Sequence, residues 1–159
     1  MENLISRIAS SQGCIMYPPN NETLTVGQNH KIPQDLKQFF DRCGGAILFE
    51  GSDYEMEILS PQSIVPANPL IVGELCEKDI SSSWYVIAKD CDGQYLTIDF
   101  NELRLGRCYE SFTDSHGLVG DCPIIAKSFS DLIDQLLIAK GRYCYWTEKS
   151  FKSLGDAYD

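Results

Sequence analysis

Trp84-Tyr85-Val86-Ile87-Ala88 and Tyr95-Leu96-Thr97-Ile98-Asp99 stand on either side of Asp92-Gly93, and the reading of this stretch decides the fold. Both runs are rich in aromatic and β-branched residues, which suit a pleated, half-buried surface. The Asp-Gly pair tolerates the positive backbone angles that a tight hairpin turn demands. Residues 84–99 therefore read as two antiparallel strands. Upstream, Ala46-Ile47-Leu48-Phe49 and Met56-Glu57-Ile58-Leu59 flank the turn-like Glu50-Gly51-Ser52-Asp53 and read as a second hairpin. Downstream, Arg107-Cys108-Tyr109 and Ile124-Ile125-Ala126 are further short strands. The expected core is an antiparallel sheet of about five strands, near the usual sheet size. Leu70-Ile71-Val72, in a mostly connecting stretch from 68 to 83, is one more candidate strand.

Helical spacing brackets these strands. Leu4, Ile5 and Ile8 suggest a first helix with Gly13 as its stop, followed by a polar loop through Tyr17-Pro18-Pro19-Asn20-Asn21. Ile32-Pro33 opens a second, in which Leu36, Phe39, Phe40 and Cys43 form an i, i+3, i+4, i+7 stripe and Gly44 supplies the stop. Ser60 is placed to cap a short helical turn that Pro66 and Pro69 end quickly. Ser128 with Asp131 three residues on starts the clearest helix, whose apolar face is Phe129, Leu132, Ile133, Leu136 and Leu137, ending at Gly141. Burying each of those side chains contributes roughly 1.5 to 3 kcal/mol before entropy is subtracted. The fold class is α+β, a curved antiparallel sheet with helices packed around it. Residues 142–159, with Tyr143, Tyr145, Trp146 and Phe151, read as an aromatic extension packed on a domain of residues 1–141, and Asp156 to Asp159 are expected to fray.

A chain of 159 residues fits one compact domain. No stretch approaches the roughly 18 apolar residues of a membrane span, and the first residues lack the basic and apolar blocks of a signal peptide, so the expected location is cytoplasmic. Seven cysteines without a C-x-x-C pair fit neither a disulfide framework nor a zinc knuckle. Most sit beside apolar residues, where a thiol behaves as a small hydrophobe in a reducing compartment. The net charge of -10 is unevenly spread. Residues 50–121 hold 14 acidic side chains against four basic ones, Lys78, Lys89, Arg104 and Arg107, while the rest of the chain holds nine of each. Such a field repels phosphate backbones and anionic membranes, which excludes nucleic acid and membrane as partners, and it attracts a basic protein. Glu50, Asp53, Glu55 and Glu57, on a turn and the strand after it, are the first candidates for a partner-binding surface. Glu74, Glu77 and Asp79, in the connection, are the second.

Several patterns with the residue types of catalytic or metal sites have a plainer role. Aligning Gly93 to the invariant glycine of a calcium loop puts Ala88 at the first ligand position and Asp99 at the last, so Asp90, Asp92 and Gly93 are a hairpin turn. Asp114-Ser115-His116 has the residue types of a hydrolase triad, but sequence neighbours rarely converge on one point and no G-x-S-x-G elbow accompanies them. With only His30 and His116 present, a multi-histidine metal site is excluded, and His30 reads as solvent-exposed. The glycines form no phosphate-cradling motif, and no cofactor is implied. The Glu50 to Glu57 carboxylates leave a hydrolase reading open, beside that of a solvated strand edge whose charges prevent aggregation.

The order of pieces now recognisable is Ile32-Pro33 with Leu36 and Phe39-Phe40, Gly44-Gly45, Trp84 with Ile87-Ala88, Asp90-x-Asp92-Gly93, Ile98-Asp99, Gly106 with Tyr109, and Ile125-Ala126-x-Ser128-Phe129 ahead of Leu132 and Leu136-Leu137. It resembles the SUKH superfamily, the immunity-protein superfamily that also includes a yeast cell-wall synthesis regulator. The similarity covers about residues 1 to 140. It implies an α+β fold and a non-catalytic binding role, because bacterial members typically neutralise toxins, often nucleases, by binding them directly. It also implies structural roles for its motif residues: Trp84 and Phe129 fill core, Asp92-Gly93 turns a hairpin and Pro33 starts a helix. The same scaffold serves as an adaptor elsewhere, so an intracellular adaptor with a housekeeping partner is the alternative.

Overall fold

A computed structural model describes residues 1–159. Four helices, α1 (Glu2–Ser10), α2 (Gln34–Phe40), α3 (Ala67–Ile71) and α4 (Phe129–Ala139), accompany seven strands: β1 (Ile15–Met16), β2 (Ala46–Leu48), β3 (Met56–Ile58), β4 (Trp84–Asp90), β5 (Tyr95–Asp99), β6 (Cys108–Ser111) and β7 (Ile124–Ala126). The strands form one curved, unclosed antiparallel sheet in the order β1-β2-β3-β4-β5-β6-β7, so each pairs with its neighbours in the chain. Both expected hairpins are present, with Ala46 opposite Ile58 and Tyr85 opposite Ile98. The sheet has more strands than the five or so expected. β1 has only two residues, too few to show a period, and lies in what reads as a turn and loop.

Register assigns the two faces. Trp84 lies opposite Asp99, and Thr97 opposite Tyr109, so these four side chains share one face. Leu96, Ile98 and Cys108 point to the other, where the Cys108 thiol reaches the Ser128 carbonyl at the start of α4. That second face is covered by α4 and α2, with Phe39 and Phe129 packed edge to face at 5.0 Å between ring centroids. Ser128 caps α4 by accepting from the Asp131 N–H at 3.1 Å, while the Asp131 carboxylate accepts from the Lys127 N–H at 3.0 Å. α2 ends at Phe40, ahead of Gly44. Gly44 is needed for close approach instead, since a Cβ there would sit 2.4 Å from the Pro18 carbonyl oxygen.

The first face is covered by α3, the β6–β7 loop and the chain's end. Leu70 and Ile71, expected in a strand, belong to α3, and Val72 caps it. Pro66 and Pro69 begin this helix and do not end one. Both fall where an N–H has no intrahelical partner, so a proline there forfeits nothing. Trp84 stacks on Tyr109 at 4.3 Å and meets His116 edge-on at 5.6 Å.

The last residues, expected to fray, are tied down. The Ala157 N–H donates to the Cys122 carbonyl at 2.9 Å, the Ile124 N–H to the Gly155 carbonyl at 3.0 Å, and Asp156 accepts from the Cys122 N–H at 2.8 Å. These bonds cover the outer edge of β7, which would otherwise present unpaired backbone groups. Tyr145 and Trp146 are buried. Among the cysteines, Cys43, Cys108 and Cys122 are buried and Cys14 and Cys144 half-buried, in line with the expectation that most thiols pack as hydrophobes, and Cys76 and Cys91 are exposed. No helix is long and apolar enough to cross a membrane.

Candidate partner-binding surface

The seven candidate carboxylates fall into two groups at opposite ends of β4. Met56 lies opposite Asp90, which sets Glu50, Asp53, Glu55 and Glu57 around the last residues of that strand. Asp79 precedes the 3-10 turn Ile80–Ser83 that leads into Trp84, so Glu74, Glu77 and Asp79 belong to the other end. A strand of this length spans roughly 20 Å, and the two groups are separate surfaces.

Within the first group, Glu50 and Asp53 are exposed. Glu55 is half-buried and accepts from the Gly51 N–H at 2.7 Å, and Glu57 pairs with Lys89 across β3 and β4 at 3.0 Å. None of the four lines the cavities of about 660, 470 or 270 Å3 on this protein's surface. Two more turns join this group. The Cys91 thiol donates to the Asp53 carbonyl at 3.8 Å, and the Thr113 N–H donates to the Gln94 side-chain oxygen at 2.8 Å. The exposed Asp92 therefore lies in a turn next to that of Asp53, and the exposed Asp114 in a turn next to Gln94, at the same end of the sheet. In the sequence alone Asp92 reads only as a turn residue. The available signal was the meander itself, which puts alternate turns at the same end of the sheet.

In the second group Glu74 and Glu77 are exposed, but Asp79 is engaged. It accepts from the Ser81 N–H at 2.8 Å, the Ser81 hydroxyl at 2.6 Å and the Tyr158 hydroxyl at 2.8 Å. Burial opposes its ionisation, yet these bonds outweigh burial and hold the carboxyl below its ordinary range. Asp79 is a cap and an anchor for the chain's end.

His116 is buried beside it and forms no triad with its neighbours. Ser115 turns its hydroxyl to the Phe112 carbonyl at 3.4 Å. His116 Nε2 lies 2.6 Å from Asn68 Oδ1, and the Asn68 amide nitrogen donates to the Leu75 carbonyl at 3.1 Å and to Ser81 Oγ at 2.9 Å. With the amide thus oriented, Nε2 carries the proton and Nδ1 is a bare acceptor, buried without a partner. Burial pushes the imidazole down to about 4 against the opposing pull of Asp79. His30, expected in solvent, is half-buried, with Nδ1 2.9 Å from the Tyr85 hydroxyl.

The hairpins of the calcium-loop pattern also separate. Asp90 accepts from the Asp92 and Gln94 N–H groups around Gly93, while Asp99 lies at the far end of β5, fully buried. Asp99 takes hydrogen bonds from Ser83, Arg104 and Tyr109 inside the sheet. What remains free on the surface is a set of unpaired carboxylates on turns, an arrangement suited to meeting a basic partner.

The molecule is thus a sheet meander with α2 and α4 on one face, α3 on the other and acidic turns at its ends. Residues 28–135 match the model of the SMI1 / KNR4 family (SUKH-1), and the chain belongs to that family. It is also 47% identical over 159 residues to "Immunity protein YokJ" of Bacillus subtilis (strain 168), an alignment covering 100% of this chain and 96% of that protein. The likeness therefore extends through α1, β1 and the C-terminal segment, which lie outside the residues matched by the family model. No solved structure matches.

Proposed function

We propose that this chain is a cytoplasmic immunity protein that neutralises a protein toxin by binding it directly, with no catalysis of its own. The observation that carries the reading is the end-to-end identity with a protein named as an immunity protein. The acidic turns support it physically. A toxin that acts on nucleic acid holds phosphates with a basic face, and unpaired carboxylates such as Glu50 and Asp53 offer that face a complementary surface. The same charge disfavours binding to nucleic acid or to anionic membranes.

Co-expression with the toxin encoded beside its gene is the test. The expected result is survival of the host and a complex that co-purifies. Cells that die despite full expression of the folded protein, with no complex formed, would falsify this reading.

A further inference from the structure

Of the twelve large hydrophobic side chains exposed on this protein, five lie in two short segments: Leu70, Val72 and Leu75 after the start of α3, and Leu118 and Val119 in the β6–β7 loop. The fold brings these segments together. Val72, Glu74, Cys76 and Asp79 from the first and His116 and Gly117 from the second line one cavity of about 270 Å3, with Asn68 and Ser81 completing its wall. Leu75 and Leu118 each adjoin a lining residue in the chain. Their side chains are 57% and 51% exposed, and that of Val119 is 77% exposed. Apolar side chains this exposed, gathered around a cavity, mark a contact surface more often than scattered ones do.

The charge around the cavity has one sign. Residues 70–79 and 115–121 contain Glu74, Glu77, Asp79 and Asp121 against the single base Lys78. The cavity wall holds the Glu74 and Asp79 carboxylates, no lysine or arginine, and a neutral histidine.

The two segments are also rigid in ways unrelated to their exposed side chains. Cys76 takes a φ of 50°, a left-handed conformation costly for a residue with a Cβ, and it is locked by the Asp79 N–H donating to its carbonyl at 2.9 Å and by Asn68 donating to Leu75. The Tyr158 hydroxyl ties Gly117 of one segment to Asp79 of the other. A surface fixed before binding loses less conformational freedom on association.

We infer that this patch is the anchor of the toxin interface: Val72, Leu75, Leu118 and Val119 pack against apolar side chains of the toxin, and the cavity between them takes a toxin lysine or arginine whose charge meets Glu74 and Asp79. This rests on the immunity reading above and adds the part of the surface that holds the partner. Glu50, Asp53, Asp92 and Asp114, at the other end of β4, then act at a distance as steering charges.

The test uses the full chain and the purified toxin encoded beside its gene. Leu75→Asp and Val119→Asp, made singly and together, and Glu74→Lys are compared with wild type by calorimetry and by hydrogen exchange. At such exposed positions the thermal midpoint should not move. The expected result is an affinity loss of at least about 30-fold for the double variant, the size of a hot-spot truncation, with amides of residues 72–76 and 117–119 protected in the wild-type complex. If wild type binds the toxin and all these variants bind equally well, or protection falls elsewhere, the patch is not the anchor although the immunity reading stands. Absence of any wild-type binding sinks that reading and this inference with it.

Discussion

Arg104 donates from Nε to Asp99 Oδ2 at 2.8 Å, and among the protein's ion pairs this is the one whose carboxylate is wholly removed from water. Asp99 closes the end of β5, where it also accepts from the Ser83 hydroxyl at 2.7 Å, the Tyr109 hydroxyl at 3.0 Å and the Asn101 N–H at 2.8 Å. Its charge is fully solvated by protein groups, so a partner's loss is not made good by water. Arg104→Ala should destabilise the fold by about 3 to 5 kcal/mol, as expected when a buried charge loses its counter-ion. Glu102→Ala, which removes the exposed partner of Lys31, should cost less than about 1 kcal/mol. Urea denaturation of the two variants separates these outcomes. Equal midpoints would mean that Asp99 is satisfied by its neutral donors alone.

His116 predicts an acid-side loss of stability. Unfolded, its imidazole takes up a proton near its ordinary value of 6.5. In the folded protein it resists until about pH 4. As pH falls between these values the unfolded state binds a proton that the folded state refuses, so stability is complete above the upper value and falls through the window. The whole effect approaches roughly 3 kcal/mol at one pKa unit per 1.36 kcal/mol. Glu110 titrates with the opposite sign, because burial raises its carboxyl against the bond from Trp146. The readout is therefore the difference between wild type and His116→Gln, which keeps a donor for Asn68 and cannot titrate. Parallel curves for the two proteins from pH 4 to 6.5 would show that His116 does not carry the loss.

The thiols divide by exposure. Cys76 and Cys91 are open to solvent, whereas burial raises the thiols of Cys14, Cys43, Cys108, Cys122 and Cys144, the last to about 11. Labelling follows access and the thiolate fraction. A thiol reagent at neutral pH should modify two cysteines rapidly and the other five only on unfolding. Mass spectrometry of the labelled chain checks both the count and the sites, and rapid modification of Cys108 or Cys122 would contradict their placement.

The fold was legible where local signals were long. Ser128, Asp131 and five apolar positions at helical spacing define α4, and Asp92-Gly93 between two β-branched runs defines β4 and β5. It was not legible where an element is shorter than its period, as in two-residue β1, or where a residue has two opposite uses. Pro66 and Pro69 end a helix or begin one according to which neighbours are helical, and only packing of α3 against β4 decides. The acidic excess could be counted in advance, but not its division. Asp79 is occupied by Tyr158, 79 residues later in the chain. Asp92 and Asp114 joined Glu50 and Asp53 only once the sheet order was known.

That division shapes the last prediction, which concerns rates of binding. Glu50, Asp53, Asp92 and Asp114 are exposed and without a salt bridge, so their field reaches into solvent over about one Debye length, roughly 10 Å at 0.1 M salt. Rim charges of this kind raise the association rate and set its salt dependence, while contacts that exclude water govern dissociation. Glu50→Gln, Asp53→Asn, Asp92→Asn and Asp114→Asn combined should slow association with the toxin by about an order of magnitude at low salt and flatten its salt dependence, with little change in dissociation. Glu57→Gln should do less, since Lys89 already neutralises that carboxylate. The thermal midpoint should stay nearly constant, because none of the four combined substitutions removes a buried partner. Stopped-flow mixing across a salt series measures both rates. If association is indifferent to salt and to all four substitutions, the acidic turns serve solubility alone.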